Sequence, residues 1–199
     1  MSFLNQHAFD DPQNWIRSEG GDPNPDRAVV STNGKVLFYS STGGMLSPRR
    51  YELREGTTLF RFAASDASVE TIMAGSWWVE QAEFEKILSF ATQHGIGAGM
   101  AARVLCLVPP QWSDMGRLLR VRVVRPLLAM RGLGSSVSVD GGPGLGQVNL
   151  PHANANPARR LHQLFIPGLR EPGLASAALA FGNLYDLDPR EGLRGWLYL

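Results

Sequence analysis

The chain has 199 residues, of which 44% are hydrophobic and 19% charged. That supports a single packed domain over residues 1–199 and excludes a disordered chain. With 19 basic against 18 acidic residues the net charge is +1, so neither nucleic acid nor an anionic membrane is attracted by the chain as a whole. The basic set is 17 arginines plus Lys35 and Lys86. The lone Cys106 excludes an internal disulfide framework and a multi-cysteine zinc site, and its apolar flanks mark it as a buried small hydrophobe. No stretch approaches the ~18 apolar residues of a membrane span. The first seven residues show no basic stretch followed by an apolar one. A cytoplasmic location is expected, with signal-independent export left open.

Residues 1–27 read as a largely irregular N-terminal segment, because residues 10–27 are crowded with Asp, Asn, Gly and Pro. Asn33-Gly34 between two β-rich runs predicts a hairpin, since both central turn residues must reach positive φ. Residues 40–48 read as a Gly/Ser loop. Residues 57–63 alternate as a strand, with Thr58, Phe60 and Phe62 on one face and Leu59, Arg61 and Ala63 on the other. Residues 74–79 read as a short extended piece entering a helix over 81–94, whose apolar stripe is Phe84, Ile87, Leu88 and Ala91 and whose C-cap is Gly95. Trp77, seven residues before Phe84, would continue that stripe. A second helix over 98–108 stops at Pro109-Pro110. Residues 118–124 alternate as a strand, 161–166 form another, and 174–181 suit a short helix. Residues 141–146 read as a flexible loop, and the apolar run 195–199 as docked on the body. Strands outnumber helices without alternating with them, which predicts an α+β fold.

Several familiar patterns carry no chemistry here. Gly97-x-Gly99-x-x-Ala102 follows a helix, whereas a dinucleotide fingerprint must follow a strand. The four histidines, His7, His94, His152 and His162, have no i, i+4 pairing and no neighbouring cysteine, so no metal site is expected. Arg117, Arg120, Arg122, Arg125 and Arg131 form a basic cluster, but acids elsewhere offset it and nucleic acid is disfavoured as a partner.

Three other segments combine more informatively. Arg61 lies inside the apolar run Leu59-Phe60-Arg61-Phe62, where a guanidinium needs an anion, either a phosphate or a carboxylate across the sheet. Gly75-Ser76-Trp77-Trp78 offers bare backbone, a hydroxyl and two large rings, suited to gripping a planar ligand or to filling a core. Gln163 sits on the late strand His162-Gln163-Leu164-Phe165-Ile166-Pro167-Gly168.

This order of segments resembles the ADP-ribosyltransferase superfamily, including its bacterial toxin and NAD-degrading relatives, over residues 57–168. The resemblance implies a split, mostly antiparallel sheet with few helices, and NAD as substrate. It implies that Arg61 contacts the phosphates or ribose, that Ser76 with Gly75 and Trp77 cradles the nicotinamide half, and that Gln163 falls at the position of the family's catalytic glutamate. A protein acceptor would be the second partner. The chain departs from the family at Gln163, which is neutral: either Glu80, Glu83 or Glu171 supplies the carboxylate, or the protein binds without turning over. The alternative is a non-catalytic interaction module of a bacterial effector or mobile-element system, working through surface Trp and Arg.

Overall fold

Short runs rich in Leu, Val and Phe pair antiparallel into one seven-stranded sheet with helices on both faces, which gives the expected α+β domain. The structure is a computed structural model and describes residues 3–22, 28–30, 32, 36–39, 42–140, 147–150 and 160–188. Helices α1 (Gln6–Asp10) and α2 (Pro12–Ser18) precede the strand pair β1 (Ala28–Val30) and β2 (Val36–Tyr39). Then follow β3 (Met45–Leu53), β4 (Thr58–Ala63), α3 (Val69–Met73), β5 (Trp77–Glu80), α4 (Gln81–His94) and α5 (Ala98–Cys106). The chain continues through β6 (Arg117–Val123), β7 (Leu127–Gly134), β8 (Val137–Asp140), β9 (Gln147–Leu150), β10 (His162–Phe165), α6 (Leu174–Ala178) and β11 (Leu179–Asp186). The sheet order is β11-β6-β4-β5-β10-β7-β3, while β1–β2 and β8–β9 are two-stranded ribbons. Among the described residues no helix is long and apolar enough to cross a membrane.

Strand alternation divides the core between the two faces. Leu59, Trp78, Leu119, Val121, Leu127, Ala129 and Leu164 form one cluster, packed against Ile72 of α3 and Ala178 of α6. Their neighbours point the other way. Phe60 and Val79 meet Phe84, Ile87 and Ala91 of α4 and Ala101, Ala102 and Leu105 of α5. Leu128, Met130 and Phe165 meet Phe3 and Phe9. Asn5 ties this N-terminal part down: its side chain bonds to both N and O of Leu128 and to O of Pro167, at 2.8–3.0 Å, in the manner of a missing strand residue.

The sheet is split at β5. This four-residue strand pairs with β4 only at Leu59–Glu80 and Phe60–Val79, and with β10 only at Trp78–Leu164 and Trp77–Phe165. Among the described residues it is the only strand joining a β11-β6-β4 half to a β10-β7-β3 half. Toward Trp77, β5 has left β4 and a fork opens between the halves.

Several expectations are corrected. The N-terminal segment is not irregular over residues 6–18: the Asp11 side chain accepts from the amide of Gln13, and Pro12 pre-sets the first helical turn, so α2 forms. Trp15 closes edge-on against Phe9, 5.3 Å between ring centroids. The Gly/Ser loop ends early, because Gly43 and Gly44 take positive φ and β3 starts at Met45, with a bulge absorbing Ser47. Trp77 does not extend the helical stripe, since it lies in β5 and the helix starts at Gln81. Leu88 is 41% exposed rather than buried, because the sheet reaches only Phe84, Ile87 and Ala91 of the α4 surface. A left-handed Leu107, not the prolines, ends α5. The helix expected over 174–181 stops at Ala178, where the chain joins the sheet as β11. The Asn33-Gly34 turn, the 141–146 loop and the run 195–199 lie outside the described residues.

Candidate functional site

Arg61 lies on β4 just past the last pairing with β5, where the Trp77 carbonyl faces the fork instead of a β4 amide. The guanidinium takes that place: Nη1 donates to Trp77 O at 2.6 Å. It occupies the space a Cβ on residue 75 would fill, so a side chain there would have to displace the guanidinium. Its Cζ is 5.9 Å from the Trp78 ring centroid. The Arg61 Nε is buried without a hydrogen-bond partner. Burial pushes the Arg61 pKa down to about 10, with the like charge of Arg170 adding to the effect. Of the two anions the sequence allowed, a carboxylate across the sheet is not what Arg61 finds among the described residues.

The fork widens into a cavity of about 800 Å³, lined by Arg61, Ser76, Trp77 and Gln163 together. That volume falls within the ~300–1,000 Å³ of small-molecule sites. Gly75 contributes the backbone beneath Arg61 rather than the lining. Ser76 is fixed by its carbonyl, which accepts from the Ile166 amide at 2.8 Å. Trp77 meets Phe165 edge-on at 5.2 Å and faces the cavity. Trp78 alternates to the other face of β5, where it packs in the core and donates from its indole nitrogen to Gly75 O at 2.7 Å, and it also contributes to the cavity wall beside Arg61. Gln163 donates from Nε2 to the carbonyl of Cys106 at 3.0 Å.

The three candidate acids separate cleanly. Glu80 accepts from the Tyr51 hydroxyl at 3.0 Å and lies 3.6 Å from Arg131 Nε. Glu83 is almost fully buried, with Lys86 Nζ at 2.7 Å, Arg131 Nη2 at 3.3 Å and His162 Nδ1 at 3.4 Å. Neither reaches the cavity. Glu171 lines it, with His7 Nε2 at 2.8 Å. Cys106 is half-buried rather than fully buried as expected, because its side chain reaches the cavity; desolvation, aided by Glu83, pushes its thiol up to about 12, which favours the protonated form.

Two lining residues, Arg170 and Trp112, were not singled out from the sequence. Both lie on segments without periodicity; the signal for Trp112 was a large apolar residue just after Pro109-Pro110. The arginine cluster is divided by the fold. Arg117 pairs with Asp186 at 3.1 Å and Arg131 joins the Glu83 network, which leaves Arg120 and Arg122 of β6 and the following Arg125 exposed. No protein-family model matches the chain, and no curated protein matches it.

Proposed function

We propose that the protein binds NAD at the fork of the sheet as an ADP-ribosyltransferase-like protein, with Arg61 on the phosphates. The observation that carries this reading is a guanidinium without an acidic partner, lining the same cavity as Ser76, Trp77 and Gln163. Burying a cation costs free energy that a bound phosphate would return. Arg170, close enough to depress the Arg61 pKa, adds a second positive charge facing the same anion.

Cleavage would break the bond between the nicotinamide nitrogen and the ribose. The electron pair leaves with nicotinamide, and water or a protein acceptor then attacks the ribose carbon and gives up a proton. The positive charge that develops on the ribose needs a negative group beside it. Gln163 supplies only an amide, and it is already engaged with Cys106. Glu171 is the carboxylate in the lining. Tight binding with slow turnover is therefore the expected behaviour.

Calorimetry with NAD, together with chromatography of released nicotinamide, tests this. Wild-type protein is expected to bind NAD, and Arg61→Ala and Arg170→Ala to weaken it about tenfold or more. Gln163→Glu is expected to speed nicotinamide release, and Glu171→Gln to slow it. Absence of NAD binding by a folded wild-type protein overturns the reading.

A further inference from the structure

Trp112 is 50% exposed on the segment between α5 and β6, and it lines the same cavity as Arg61. Leaving so large an apolar side chain open gives up much of its burial energy. The segment carrying it is nonetheless firmly held. Arg103, fully buried, donates to Val108 O at 3.0 Å and to Ser113 O at 2.7 Å, bracketing the turn. The Trp112 amide bonds to Pro109 O at 3.0 Å. Asp114 accepts from the amide and hydroxyl of Ser65 and from the amide of Gly116. Gly43 makes room for the indole: a Cβ there would lie 3.0 Å from the ring. An exposed ring on a braced segment is preorganised for contact, because little freedom remains to be lost when a ligand arrives.

We infer that Trp112 is a stacking shelf for the planar base of a nucleotide whose phosphate is held at Arg61. The inference rests on the NAD-binding reading and adds the contact that recognises one of the ligand's two heteroaromatic rings. Stacking suits either ring, since both purine and pyridine present a π-face.

The test is to titrate wild type, Trp112→Ala and Trp112→Phe with NAD, AMP and nicotinamide mononucleotide, following heat and tryptophan emission. Trp112→Ala is expected to weaken NAD about tenfold, and to weaken by a similar factor the mononucleotide whose base rests on the shelf. Trp112→Phe is expected to keep most of the affinity while losing the share of the quenching that Trp112 contributes, the signal of Trp77 remaining. Because the side chain is exposed, both variants are expected to melt with the wild type. Equal NAD affinity in wild type and Trp112→Ala overturns the shelf and leaves the NAD reading standing. AMP binding that depends on Trp112, without NAD binding, keeps the shelf and removes NAD. A wild type that binds none of the three ends both.

Discussion

Glu83 and the Arg61 guanidinium are both charged groups taken into the protein near β5, and their surroundings differ in kind. Glu83 is met by Lys86, Arg131 and His162, and Arg131 in turn by Glu80. The groups come from α4, β5, β7 and β10, so the network fastens the start of α4 to the sheet. Arg61 is met by one carbonyl, a bare glycine and the field of a second arginine. The contrast shows how to separate a structural charge from a receptive one. Glu83 is met by cations within the protein, whereas Arg61 has no acidic partner among the described residues and stands at a cavity wall.

The sharpest way to break this comparison is to remove Glu83. Glu83→Gln leaves Arg131 and Lys86 facing a neutral group. Splitting a fully buried pair costs about 3–5 kcal/mol, and the exposure of its partners reduces this to about 2 kcal/mol. Denaturant unfolding reads it directly, and an unchanged midpoint would remove the structural role. Gly75→Ala comes next. Its Cβ would overlap the Arg61 guanidinium, so about 1–3 kcal/mol of overpacking is expected together with weakened NAD binding.

Arg61→Met is expected to behave in the opposite way from the Glu83 variant. The hydrogen bond to Trp77 O is lost, but so is the cost of a buried cation, and the two offset to within about 1 kcal/mol. Stability should hold while NAD binding weakens about tenfold or more; a large drop in melting temperature would make Arg61 another structural charge. The smallest effect is at Cys106. Its folded pKa of about 12 lies above the ordinary 9.0, so its contribution to stability is complete below pH 9. Above that, the unfolded chain loses its thiol proton first and stability falls as the pH rises toward 12. At pH 8 a thiol reagent should react far more slowly with folded than with unfolded protein. Glu83→Gln should speed that reaction in the folded state, because Glu83 is the second cause of the raised pKa.

What was legible in the sequence follows the amount of local pattern. β4, β6, β10 and α4 carry clear periods and were found within a residue or two of their bounds. β7 is an almost unbroken apolar run, buried on both faces along most of its length, and such a strand has no alternation to read. β3 is interrupted by Pro48 and a bulge, and β11 by a register shift between Phe181 and Asn183, so neither shows a regular period. At the candidate site, Arg61 stood out because an apolar strand surrounds it, and Ser76 and Gln163 through the order of segments. Trp112 and Arg170 reach the cavity from turns, where position depends on tertiary bonds such as those of Arg103 and leaves no local mark. Which carboxylate faces the cavity was likewise undecidable along the chain, because Glu80, Glu83 and Glu171 differ only in the direction the fold gives them.

Two half-sheets hydrogen-bonded through one four-residue strand, and otherwise held by the apolar cluster of Leu119 and Val121 with Leu127 and Ala129, meet like two boards on one short hinge. A molecule lodged in the fork would act as a strut between the boards. Its arrival should then be felt in β6 and β7, on either side of the hinge, as slower amide exchange at strands that never touch the ligand.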